Sequence, residues 1–155
     1  FGHTAVGNNE DALRILRTTG QPGVMLNDTP RIAADVEATY TFANATYAYG
    51  DVETAATLAE RISSPNRGTG VVWWYDFHRS CGLAIMGRED EAIDALQKIE
   101  RSPQLPWEPY VRDSVCMKLL EDRPEYQQIV EHVAGQKAAL RQKLPTTLAR
   151  FGVRL

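Results

Sequence analysis

Gly87-Arg-Glu-Asp-Glu-Ala-Ile-Asp-Ala-Leu96 decides the fold, because its skeleton occurs three times in the chain. Gly7-Asn-Asn-Glu-Asp-Ala-Leu-Arg-Ile-Leu16 and Gly50-Asp-Val-Glu-Thr-Ala-Ala-Thr-Leu58 repeat it: a glycine, two residues, an acid, one residue, an alanine, then aliphatics. A helix commonly stops on a glycine in the left-handed region, where the missing Cβ removes the steric penalty. Acids that follow at once sit at the positive end of the next helix. The alanine five residues past each glycine (Ala12, Ala55, Ala92) lets the returning helix approach its partner closely. The phrase predicts the turn of a helix hairpin, built three times.

Outward from these turns, Gly and Pro divide the chain at Gly20, Pro22 and Gly23, at Pro65, Gly68 and Gly70, and at Pro103, Pro106, Pro124 and Pro145. Between them lie segments rich in Ala, Leu, Glu, Arg and Gln, which favour helix. No segment alternates apolar and polar residues with a period of two, so strands are not expected. The expectation is an all-α chain of about seven helices, forming one domain over residues 1–155.

Thr29–Tyr49 carries two apolar stripes at helical spacing, Ile32/Val36/Tyr40/Ala43/Tyr47 and Ala34/Ala38/Phe42/Ala45/Tyr49. One stripe suffices for a surface helix, whereas two imply contact from two sides. Val71–Met86 behaves alike, with Trp73, Phe77 and Ala84 on one side and Val71, Trp74, His78, Cys81 and Ile85 on another. Asp51–Ile62 and Arg88–Ile99 each carry one apolar stripe and a charged face. Doubly contacted inner helices therefore alternate with singly contacted outer ones.

The spacing from Ala12 to Ala55 and from Ala55 to Ala92 is near the period of a tetratricopeptide repeat. With Ala43 and Ser80 each seven residues before a turn glycine, the chain resembles a tetratricopeptide-repeat (TPR) array. Thr39 and Asp76 stand where that pattern has a large residue, and Pro65 and Pro103 approximate its closing proline. The segment Leu119-Leu-Glu-Asp-Arg-Pro-Glu-Tyr126, followed by Gln127-Gln-Ile-Val130, resembles the closing segment of many bacterial TPR domains, where a terminal helix docks over the last repeat. Such domains accompany transcriptional regulators, nucleotide cyclases or kinases. The resemblance implies an α-α superhelix with units at 1–28 (partial), 29–65, 69–103 and 106–145 (divergent, capping), and a tail at 146–155.

The resemblance also implies a non-catalytic interaction domain that holds a protein or peptide on the concave face of its inner helices. Carried over by the glycine register, that face comprises Glu37, Tyr40, Asn44 and Tyr47 on one helix, and Trp74, Phe77 and Cys81 with adjacent His78 on the next. Asn44 falls where many members hold a peptide backbone through a side-chain amide. The alternative for Tyr40, Tyr47 and Trp74 is packing against neighbouring helices. A second functional reading is a small-molecule sensor whose pocket is lined by Trp74, Tyr47 and His78.

Catalytic signatures are lacking: there is no GxSxG, Walker A, HExxH or CxxC pattern. Asp76-Phe-His78-Arg-Ser-Cys81 places an imidazole and a thiol on one helix face, but zinc wants three or four ligands and only His3, His132 and Cys116 remain as candidates. No enzyme activity, cofactor or metal is expected. Two cysteines make no disulfide framework. Both lie in apolar helical patterns, the ordinary setting of a free, buried cysteine in a reducing compartment, with a single bridge between helices as the alternative in an oxidising one.

The net charge of −3 is unevenly spread. Residues 1–60 hold Arg14, Arg17 and Arg31 against eight acids, while from Lys137 onward there are five basic residues and no acid. Such a basic tail could touch nucleic acid or anionic lipid, but a solvated helix face is the expectation, and contact with nucleic acid is not expected. No apolar run is long enough to span a membrane. The chain opens on Phe1, which suggests an excerpt or a processed form. A cytoplasmic location is expected, or a periplasmic one if the domain is carried by a membrane-spanning regulator. Self-association is a further expectation.

Overall fold

A computed structural model describes residues 33–63, 72–100 and 108–153, together with Glu10, Asp11 and Arg14; at 33–38, 72–74 and 108–110 it describes the course of the backbone alone. Among the described residues there are seven helices and no strand. They are α1 (Ala33–Tyr49), α2 (Val52–Ser63), α3 (Val72–Ile85), α4 (Glu89–Glu100), α5 (Glu108–Asp113), α6 (Val115–Lys118) and α7 (Pro124–Arg150). The expected unit at 1–28 lies outside the described residues, apart from three helical positions where Arg14 bonds Asp11 one turn away at 2.9 Å.

Both described copies of the repeated phrase form the same turn. At the end of α1, Gly50 has φ +95°, its N–H donates to the Tyr47 carbonyl at 3.0 Å, and the Asp51 N–H donates to the Thr46 carbonyl at 2.9 Å. At the end of α3, Gly87 has φ +72° and makes the equivalent pair, Gly87 N–H to Ala84 O (3.0 Å) and Arg88 N–H to Leu83 O (2.9 Å). This crossed pair satisfies carbonyls that a helix end leaves over. The residue after each glycine flanks the next helix as its N-cap: the Asp51 carbonyl accepts from the Ala55 N–H and the Arg88 carbonyl from the Ala92 N–H, each at 3.0 Å. The Asp51 carboxylate accepts from the Thr54 N–H at 3.2 Å, capping α2. At the second turn the Arg88 guanidinium grips Glu91 through both carboxylate oxygens at 2.6 and 2.7 Å.

Packing follows chain order: α1 on α2, α2 on α3 and α3 on α4. The small residues sit at these seams. Ala43, Ala55 and Ala92 are fully buried, and the Ser80 hydroxyl donates across the second hairpin to the Ala92 carbonyl at 2.9 Å. The expected two-sided burial of the long helices holds at their described positions: Tyr40, Phe42, Ala43 and Ala45 of α1, and Phe77, His78, Cys81, Ala84 and Ile85 of α3, are all buried. Tyr49 departs from its stripe and is 55% exposed, because α1 ends there. Alongside the hairpins, α1 also meets α3, and both meet α6.

The core runs through Leu58, Phe77, Leu83, Leu96, Met117 and Leu120, each almost wholly removed from water. Burial of each such side chain stabilises the fold by about 1.5–3 kcal/mol. The closing segment docks as the sequence predicts. Pro124 occupies the first turn of α7, where its lack of an N–H is harmless, and the helix packs on α4 and α5. Tyr126, Ile129 and Val133 provide its buried face. The expected boundary at residue 145 is not observed: α7 continues through Pro145 to Arg150. A proline there removes one helix bond, and on an exposed stretch water can solvate the carbonyl left over.

Candidate functional site

The residues expected to form a partner-binding face come together, but inside the protein. Tyr40, Phe77 and His78 are 0% exposed and Asn44 is 4% exposed. Their rings form one cluster, with Tyr40 and His78 centroids 4.4 Å apart and Tyr40 and Phe77 centroids 5.7 Å apart. Tyr47 is half-buried and packs against the core. The Glu37 and Trp74 side chains lie outside the described residues. The expectation that Tyr40, Asn44, Phe77 and His78 line an open groove is therefore corrected, since the chain's own packing already covers them. The physical reason is the second apolar side of α1 and α3, which is turned toward one another and toward α6.

That seam is polar as well as apolar. The Asn44 amide donates to the Tyr40 carbonyl (2.9 Å) and to the Cys81 sulfur (3.3 Å), and its oxygen accepts from the Cys116 N–H (3.1 Å). The Tyr40 hydroxyl bonds the Ser114 hydroxyl at 2.9 Å. Both contacts cross from α1 to the segment around α6, more than 70 residues away in sequence. Cys81 and Cys116 are joined in a disulfide with a Cα–Cα distance of 5.2 Å. Of the two states weighed for these cysteines, the paired one is therefore observed, and it ties α3 to α6 beside Asn44. A bonded sulfur is no thiolate, so the thiol–imidazole pairing of Cys81 with His78 is not present. Among the described residues no group of three or more His, Cys, Asp or Glu is placed to hold a metal ion.

A second polar group fastens the closing helix. Arg123, just before α7, reaches Asp90 (2.9 Å), Glu89 (3.2 Å) and Glu125 (3.4 Å). The carboxylates of Asp90 and Glu89 raise its already high pKa further, and its charge helps to lower that of Glu125, after that residue's own backbone N–H. The acids in the first turn of α4 thus sit at that helix's positive end and also anchor α7. The Tyr126 hydroxyl donates to the Val111 carbonyl at 2.6 Å, and burial pushes its pKa up to about 12. Beside it, a surface hollow of about 320 Å³ is lined by Arg112, Lys118, Glu121, Tyr126, Gln127 and Glu131. Its cations and carboxylates balance, and none of the residues expected to bind a partner lines it.

No family model, no curated protein and no solved structure matches this chain.

Sequence reasoning did not single out Ser114, Val111 or Gly82. Gly82 left a signal, being a glycine in the interior of a helical pattern. A Cβ there would lie 2.6 Å from the Ala59 carbonyl oxygen of α2.

Proposed function

We propose that this chain is a TPR-like interaction domain that holds a protein or peptide and performs no chemistry of its own. The observation that carries the reading is the use of one turn, with the same pair of hydrogen bonds, at Gly50 and again at Gly87. A device repeated along a chain builds a stack of helix pairs, and stacked pairs present surface rather than a closed catalytic cleft. Docking of α7 over α4 is consistent with the cap that such a stack requires. The closing phrase around Pro124 supports a regulatory role of the kind served by TPR regions beside transcriptional regulators and cyclases.

Because Tyr40, Asn44, Phe77 and His78 are internal, the reading moves the partner face to what α1 and α2 leave accessible. Half-buried Tyr47, with Tyr49 and Val52 each 55% exposed beside Gly50, forms that face. The disulfide supports an oxidising, extracytoplasmic setting over the cytoplasmic one expected from sequence. No helix among the described residues is long and apolar enough to cross a membrane.

The test compares partners cross-linked to the immobilised wild type with those of Tyr49→Ser/Val52→Ser. The exposed variant should keep its melting temperature and lose a specific partner. Unchanged recovery of every partner would refute the proposed face. Turnover of a substrate by the purified chain would refute the non-catalytic reading.

A further inference from the structure

α7 is 27 residues long, but its buried residues end at Val133. The following 17 residues, 134–150, extend for about 25 Å and are mostly exposed. This distal half is amphipathic in an unusual way. Leu140 is 54% exposed and Leu144 45% exposed, Phe151 just past the helix is 79% exposed, and Val153 is also exposed. At about 100° per residue, Leu140, Leu144 and Leu148 lie within about 80° of one another. Arg141 borders that stripe on one side, and Lys143 and Arg150 border it on the other, all within about 100° of Leu140, while Lys137 lies in line with the leucines one turn before Leu140. The opposite side carries Ala138, Gln142 and Ala149, and no acid occurs between Glu131 and the end of the helix. Arg141, Lys143 and Arg150 therefore border the apolar stripe instead of facing away from it.

We propose that the distal half of α7 docks flat on an anionic lipid surface. Leu140, Leu144 and Phe151 enter the boundary between headgroups and acyl chains, while Arg141, Lys143 and Arg150 extend beside them to the phosphates. Long cationic side chains reach out of an apolar layer in this way, burying their methylenes and keeping the charge in the polar zone. Charge complementarity selects the occupant. A second copy laid along the same stripe would bring cation against cation, whereas a uniformly negative surface neutralises both borders at once. Each Lys or Arg near such a surface strengthens binding about fivefold.

The experiment is co-sedimentation of the full, disulfide-bonded chain with vesicles of phosphatidylcholine alone, or of phosphatidylcholine containing phosphatidylglycerol. Binding is expected only to the anionic vesicles and should weaken as salt rises. Arg141→Ser/Lys143→Ser should weaken it about 25-fold. Leu140→Ser/Leu144→Ser should weaken it at least tenfold, with the circular dichroism and melting temperature of the wild type retained in both variants. Equal binding to neutral vesicles, no binding to anionic ones, or indifference to either pair of substitutions would overturn the proposal. So would a lipid-free oligomer that the leucine variant dissolves, since the stripe would then serve a protein helix.

Discussion

Gly82→Ala should separate two effects that oppose each other. In the interior of a helix, alanine is favoured over glycine by about 1 kcal/mol, so on local grounds the substitution stabilises α3. The tertiary structure reverses the sign. A Cβ on Gly82 would stand 2.6 Å from the Ala59 carbonyl oxygen and 2.8 Å from the Ile62 Cγ1, and would also strike the Ser63 hydroxyl, which is itself bonded to the Ala59 carbonyl. Ordinary contact begins near 3.4 Å, so α2 would have to retreat by roughly 0.8 Å, against backbone that cannot rotate out of the way. Overpacking of this kind costs about 3 kcal/mol or more, leaving a net loss of about 2 kcal/mol. For a chain of this size the melting temperature should fall by about 6 °C. Gly135→Ala is the internal control. Gly135 lies in α7 with nothing within 4 Å of a built Cβ, so this change should stabilise by about 0.5–1 kcal/mol. Urea denaturation followed by circular dichroism measures both, with equal m-values as the check on cooperativity. If Gly82→Ala proves as stabilising as Gly135→Ala, α2 and α3 do not approach as described.

Removing the disulfide by Cys81→Ser/Cys116→Ser should cost about 4 kcal/mol, the loop entropy released by a link spanning 35 residues, and should lower the melting temperature by about 10 °C; a loss under 3 °C would refute the constraint. Asn44→Ala removes three hydrogen bonds and leaves the Cys116 N–H buried without its acceptor, for an expected loss of about 2–3 kcal/mol in urea melts. Burial raises the Asp76 pKa, against the opposing pull of Lys98 and Arg79, so the folded state holds that proton more tightly than the unfolded state. Stability is then greatest below the unfolded value of 3.8 and falls as pH rises through the folded value. Asp76→Asn should accordingly raise the melting temperature at pH 7 and have no such benefit at pH 3; a benefit equal at both pH values would contradict the sign.

The helix boundaries were legible because they rest on local chemistry. Gly50 and Gly87 take up a backbone region that glycine alone enters without penalty, Pro124 opens a helix, and the acids of α4 sit where that helix begins. The alternation of doubly and singly contacted helices was legible for a similar reason, since an apolar stripe must be covered by something. What covers it was not. The face with Tyr40, Asn44 and Tyr47 suits the wall of a groove and the interior of a helix bundle equally well, because both ask for aromatic and amide groups at helical spacing. Packing of α1, α3 and α6 put Tyr40 and Asn44 inside and left Tyr47 half-covered. Pro145 shows the reverse case. A local rule ends the helix there, but the exposed chain of α7 continues past it.

By itself the sequence determined the all-helical character of the described residues, the hairpin turns at Gly50 and Gly87 and the residues that stop and start the helices there, because each depends on a few adjacent positions and on the φ that a residue tolerates. Only the tertiary structure decided that Cys81 and Cys116 are partners, that Asn44 and Tyr40 bond to residues more than 70 positions away, and that Gly82 must remain without a side chain. Those facts depend on which helix faces which and at what distance, and no periodicity within one helix encodes the identity of its neighbour.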